Sequence, residues 1–182
     1  MNTRSKYSKE ALTMLDEYVH SQFPEINYKL RRGKDCPEVD VFDTLFKQQP
    51  LPPRLYRQLE LHNVQVSKGD IIIDKAYLST SYCFDCYYRD CGKNVACIII
   101  HIEDSSVKSI NVEQMCPLSN KEGEYILPRN LKLKIRLPYK IFTQKEFEEF
   151  LEYVHSDQIT SWAMQQDGIN SYTVYDVDIV DE

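Results

Sequence analysis

Nowhere in this chain do about 18 apolar residues follow one another, the length a helix needs to cross a bilayer, so no transmembrane helix is expected. Glycine is scarce, with 5 residues, and none of them builds a Gly-x-Gly-x-x-Gly turn behind a strand. That absence argues against a dinucleotide-binding domain of the Rossmann type. Positive charge is also in short supply. Lysines and arginines number 22 against 28 aspartates and glutamates, and the formal net charge of -6 speaks against broad attraction to nucleic acid. The run Lys29-Leu30-Arg31-Arg32-Gly33-Lys34 is a local exception, of a kind that ordinarily forms a solvated face. The chain has neither an internal repeat nor a low-complexity tract. Its start, Met1-Asn2-Thr3-Arg4-Ser5-Lys6, lacks the apolar stretch of a secretory signal, which predicts reduced thiols and action in the cytoplasm of the producer or of a host reached by injection or infection.

The 6 cysteines include Cys83 and Cys86, followed by Cys91 and Cys97. Zinc sites usually pair their ligands at closer spacing than Cys91 and Cys97 show, and no His-x-x-x-His completes a familiar set, so free cysteines in or beside the core are expected, with no metal. His20, His62, His101 and His155 fall outside the motifs described below.

A length of 182 residues with 42% hydrophobic residues and 12% aromatics suits one domain with one core, spanning the whole chain. Residues 1–50 read as helical. Leu12, Leu15, Val19 and Phe23 recur at helical spacing behind Ser8, a candidate cap, and Val39, Phe42, Leu45 and Phe46 form a second stripe behind Asp35 with Pro37 near its start. Pro50-Leu51-Pro52-Pro53 ends that part, because proline lacks an amide donor and forces its predecessor toward extended backbone. Residues 51–182 read as strand-rich, with strands at Arg54 to Leu61, Ala76 to Ser81, Val95 to Ile102, Glu124 to Leu127, Leu131 to Leu137 and Tyr172 to Ile179. The alternation of leucine and isoleucine with lysine and arginine from Leu131 to Leu137 puts one face of that strand in the core. Thr143 with Glu146 forms a capping box before a helix whose stripe is Phe147, Phe150, Leu151 and Val154. The segregation of helices from strands predicts an α+β fold.

Three motifs stand on these strands in order: Arg57, then Ser79-Thr80-Ser81, then Glu122-Gly123-Glu124. Arginine offers planar paired donors that stay charged, as a clamp for phosphate requires. Breaking a glycosidic bond to a positively charged base develops positive charge on the sugar, which a neighbouring carboxylate stabilises more in the transition state than in the ground state. Two glutamates two residues apart face the same side of an extended chain, so one can serve the sugar and the other an acceptor.

This set resembles the arginine-serine-glutamate class of mono-ADP-ribosyltransferases, which includes clostridial C2- and C3-like toxins and phage-encoded enzymes. The resemblance covers roughly Leu51 to Leu137. It implies an ADP-ribosyltransferase-like fold, two antiparallel sheets forming an NAD cleft with an N-terminal helical lobe, and a transferase that takes ADP-ribose from NAD and releases nicotinamide without a metal. Carried over residue by residue, Arg57 would hold the phosphate and ribose side of NAD, and Glu124 would be the catalytic carboxylate. Ser79 would fix the Glu124 rotamer, and Thr80 and Ser81 would support the cofactor pocket. Glu122 would orient the acceptor. In the family a glutamate at that position goes with arginine acceptors, which makes a protein arginine the expected target. The segment after Ser81 matches the family's loop over phosphate and nicotinamide, so that Phe84, Tyr87 or Tyr88 could stack on the ring and Arg89 could touch phosphate. The same aromatics could equally be the buried face of a short helix. Gln58 and Asn130 stand where the family often has glycine. The competing readings are a catalytically silent relative and an interaction domain binding a protein or nucleotide. Within the enzyme reading a nucleic-acid base or water remain alternative acceptors.

Overall fold

The computed structural model describes residues 6–60, 65–84, 94–102, 106–116, 123–155 and 171–180. Its N-terminal part begins with helix α1 (Lys9–Glu17), capped by the Ser8 hydroxyl, which accepts the Ala11 amide at 3.1 Å. The chain then passes through a π-helical segment (Tyr18–Gln22) into α2 (Phe23–Arg31). The π-helical segment carries an extra residue per turn and so shifts the inward face. Tyr18 falls on that face and is buried. Helix α3 (Glu38–Asp43) starts at Pro37 with no side-chain cap.

The basic run is taken up locally. Arg31 grips Asp74 through two hydrogen bonds of 3.1 and 2.9 Å, Lys29 pairs with Glu25 at 2.8 Å, and Arg32 and Lys34 lie over the exposed Tyr28 ring.

The strands are β1 (Arg54–Glu60), β2 (Ile71–Asp74), β3 (Leu78–Ser81), β4 (Asn94–His101), β5 (Ile110–Asn111), β6 (Glu124–Leu127), β7 (Leu131–Ile141) and β8 (Ser171–Ile179). Two short helices complete the described elements: α4 (Val112–Met115) follows β5, and α5 (Gln144–Tyr153) follows β7. Strands β2 and β5 were not expected, and β7 runs beyond Leu137. Pro138 sits within β7 at no cost to the ladder on its β2 side, because β2 pairs only with residues Leu131 to Lys134. Where separate sheets were expected, the described strands share one eight-stranded order, β2-β7-β8-β4-β1-β3-β6-β5. All neighbours are antiparallel except β4 and β8. The junction between β1 and β3 is narrow, with Tyr56 opposite Ser81 as its register pair.

Core packing follows the strand alternation. On one face α5, entered through the Thr143–Glu146 capping box, lays Phe147, Phe150, Leu151 and Val154 against Phe84, Cys97, Ile99 and Tyr172. Leu55, Leu78, Ile100, Leu133, Ile135 and Val177 belong to a second cluster. The N-terminal helices bury Leu15, Tyr18, Phe42 and Leu45 with Tyr77, Ile110, Met115 and Ile126. Asn130 takes φ 61 in the turn between β6 and β7, a left-handed conformation that asparagine tolerates better than most residues, so the turn works without glycine.

Candidate active site

Strand β1 carries Arg57, and its guanidinium Nη1 donates to the Ser79 carbonyl on β3 at 2.8 Å. The first two motifs are therefore tied across the narrow β1–β3 junction. Register then brings in the third motif: β3 pairs with β6 so that Ser81 faces Glu124 and Ser79 faces Ile126. Directly opposed residues share a sheet face, and alternation puts Ser79 and Ser81 on the same one, so Glu124 has Ser81 across from it and Ser79 one diagonal step away. Thr80 points to the other face, where its hydroxyl donates to the Tyr125 carbonyl at 2.8 Å. Ser81 is buried, and its hydroxyl accepts the Cys83 amide at 2.9 Å, turning the chain at the end of β3.

Tyr18 was not among the expected site residues. Its hydroxyl accepts from Asn27 Nδ2 at 3.0 Å and lies near the Ser79 side chain. Burial raises its pKa above the ordinary tyrosine value. The hydrogen bond to Asn27, the nearby Ser79 side chain and the charge of Arg57 oppose the rise, while the Glu124 carboxylate adds to it. One phenol thus senses a residue of each motif. Asn27 is buried too, and its Oδ1 accepts the Tyr77 amide at 3.2 Å, which locks α2 to the start of β3. The signal in the sequence was weak, since a tyrosine and an asparagine nine residues apart on amphipathic helices read as core and surface.

Gly123, between the two glutamates, is at φ +65, and a Cβ there would meet the Tyr82 ring at 2.4 Å. Its amide donates to Glu113 Oε1 at 2.8 Å, and its carbonyl accepts the Tyr82 amide at 3.2 Å. A side chain there would be strained at that φ and would need the Tyr82 ring to move aside.

Phe84 is a core residue. Its ring is 3% exposed and packs edge-on against Tyr56 and Phe150 at centroid distances of 5.7 and 5.2 Å. Glu122, Tyr87, Tyr88 and Arg89 lie outside the described residues. So do Cys86 and Cys91. Cys36, Cys83, Cys97 and Cys116 are free thiols. Burial pushes the Cys97 thiol up to about 12 and the Cys36 thiol up to about 11, which keeps both protonated and poorly nucleophilic at neutral pH. Among the described residues no group of histidine, cysteine and carboxylate side chains is arranged to hold a metal ion.

A cleft of about 770 Å³ lies elsewhere, lined by Arg54, His101, Tyr153 and Asp176 among others, with His101 bonded to Asp176. Residues three apart on a strand point to opposite faces, so Arg54 addresses that cleft while Arg57 turns away from it. It holds none of the three motifs.

No family model and no curated protein matches this sequence. Solved structures do match its fold. The ATR domain of Salmonella SpvB superimposes with a TM-score of 0.64 at 18% identity, covering 96% of this chain and 100% of that one. Plx2a, an ADP-ribosyltransferase toxin from Paenibacillus larvae, gives a TM-score of 0.65 at 13% identity over 97% of this chain and 89% of its own. Exoenzyme S from Pseudomonas aeruginosa, solved with human 14-3-3 protein beta and carba-NAD, gives 0.54 at 14% identity over 94% of this chain and 74% of its own. The shared property at such identities is architecture, and the chain has the fold of ADP-ribosyltransferase toxins.

Proposed function

We propose that this protein transfers ADP-ribose from NAD to an arginine of a target protein. The carrying observation is that Arg57 on β1 is bonded to the Ser79 carbonyl at 2.8 Å, while β3 pairs with β6 so that Ser81 stands opposite Glu124. An arginine, a serine and a carboxylate on three adjoining strands are the groups that NAD cleavage needs, and a fold shared with an enzyme solved with carba-NAD supports the same reading.

In this reading the narrow junction of β1 and β3 separates the two walls of an NAD cleft, with the N-terminal helices as a supporting lobe, and residues 1–182 form one domain. Arg57 holds the diphosphate side of NAD, its fork already oriented by the Ser79 carbonyl. As the bond between ribose C1′ and the nicotinamide nitrogen breaks, its electron pair leaves with nicotinamide and positive charge grows on the ribose. Glu124 faces that charge, and Ser79 and Ser81 keep its carboxylate in place. Glu122 orients the arginine acceptor and takes the proton that its guanidinium loses as the new C1′–N bond forms. Tyr87, Tyr88 and Arg89 cover the nicotinamide and phosphate, and no metal takes part. The protein acts in cytoplasm, as a toxin or effector would.

The test is incubation with labelled NAD and host lysate, following nicotinamide release and macromolecular labelling together. Label lost with an arginine-specific hydrolase is expected. The variant Glu122→Gln should abolish labelling yet keep slow nicotinamide release, because attack by water needs no guanidinium to be oriented. Equal loss of both would place Glu122 in the NAD site itself.

A further inference from the structure

Gly123 is held from three directions although it lies outside the sheet ladder, one residue before β6 begins. Tyr82 supplies two of the restraints, its amide on the Gly123 carbonyl at 3.2 Å and its ring against the Gly123 Cα. Those tie the glycine to the end of β3, next to Ser81. The third comes from α4, whose Glu113 accepts the Gly123 amide at 2.8 Å. Helix α4 is itself anchored, since Val112 and Met115 are buried and the Asn111 side chain both caps it, accepting the Gln114 amide at 3.0 Å, and donates to the Tyr125 hydroxyl at 3.0 Å. Glu113 therefore connects a fixed element to the residue between the two glutamates.

We propose that Glu113 is a positioning residue for the Glu124 carboxylate: by holding the Gly123 amide it sets the direction in which the chain enters β6, and with it the place of Glu124 relative to Ser81 and Ser79. The proposal rests on the assignment of Glu124 given above. Catalytic groups tolerate little displacement, an error of about 1 Å costing on the order of a hundredfold in rate. A backbone amide at positive φ with no strand partner would let that error in unless something holds it. What holds it here is an acceptor oxygen. Charge is not needed for that task, so glutamine can do it and alanine cannot.

The experiment compares Glu113→Ala and Glu113→Gln with the parent in NAD cleavage kinetics, thermal melting and amide hydrogen exchange at Gly123. The alanine variant should lose about tenfold or more in kcat for nicotinamide release, keep its KM for NAD within about twofold and melt with the parent, as removal of an interaction felt chiefly in the transition state requires. The glutamine variant should recover to within about threefold of the parent, and Gly123 exchange should speed up only in the alanine variant. Parental kcat in Glu113→Ala, or unchanged exchange at Gly123, overturns the clamp alone. An equal loss in both variants also overturns it, because the carboxylate would then act through its charge. A parent that releases no nicotinamide overturns the assignment of Glu124, whereas Gly123 exchange still reads the clamp directly.

Discussion

The two flanks of the β1–β3 junction are built from different chemistry. On the β4–β8 flank the core is aromatic: Phe84, Phe147, Phe150 and Tyr172 meet at centroid distances between 5.2 and 6.5 Å under α5. On the β3–β6 flank the interior is interrupted by polar groups. Of the buried polar side chains among the described residues, Asn27, Thr80, Ser81 and Ser109 belong to this flank and Thr173 to the other. Burying an amide or hydroxyl costs free energy unless it is hydrogen-bonded, and even when satisfied it contributes only about 1 kcal/mol net. A flank that keeps them is therefore shaped by something other than stability. Tyr18, Phe42, Phe46 and Tyr77 pack together on the β3–β6 flank as well, so aromatic packing is common to both flanks and the buried polar groups are what set the second apart.

The comparison breaks if mutations on the two sides have the same kind of effect. The largest is expected from Phe147, 1% exposed beneath α5. Replacing it with alanine should cost about 3 to 5 kcal/mol in chemical denaturation, as for other buried phenylalanines, while nicotinamide release per folded molecule stays at the parental rate. A loss below about 1 kcal/mol would show that the aromatic cluster under α5 is not what stabilises its flank.

Glu124→Gln is the mirror image and the next in size. The isosteric amide keeps packing and most hydrogen bonds but removes the charge, so transfer and nicotinamide release should fall by at least about a hundredfold, equivalent to about 2.7 kcal/mol, with stability within about 0.5 kcal/mol of the parent. A folded variant with an undiminished rate would remove Glu124 from the chemistry.

How much of this could be read from the residues alone follows from how local each feature is. The bounds of β6 and the Thr143–Glu146 capping box depend on a few adjacent side chains, and both were legible. The order of Arg57, Ser79 and Glu124 was legible too, because each motif is a short run on its own strand. Strands β2 and β5 were not, since edge strands of four and two residues are stabilised by their partners rather than by their own pattern. The single sheet order was hidden for the same reason. Tyr18 escaped because the stripe Leu12, Leu15 and Val19 was drawn at 3.6 residues per turn, and the π-helical segment that begins at Tyr18 breaks that period. Phe84 carried two readings of equal weight in the sequence, and its packing against Phe150 and Tyr172 is set by distant residues.

Tyr18 sharpens the comparison because it belongs to both kinds of interior. Its ring packs with Phe42 at 4.9 Å and edge-on to Tyr77 at 5.9 Å, while its hydroxyl accepts from Asn27 and lies near Ser79. Tyr18→Phe keeps the ring and deletes only the oxygen. Asn27 then loses an acceptor for its amide, inside a region where water does not replace it, so the variant should lose about 1 to 2 kcal/mol of stability. That is the smallest of the three effects. The kinetic consequence distinguishes the two roles of the residue: with the oxygen beside Ser79 gone, Glu124 keeps its charge but loses part of its support, and kcat should fall by several-fold with KM for NAD little changed. A variant that loses stability and keeps its full rate would make Tyr18 part of the packing alone, and would place the boundary between the two flanks on the strand side of its hydroxyl.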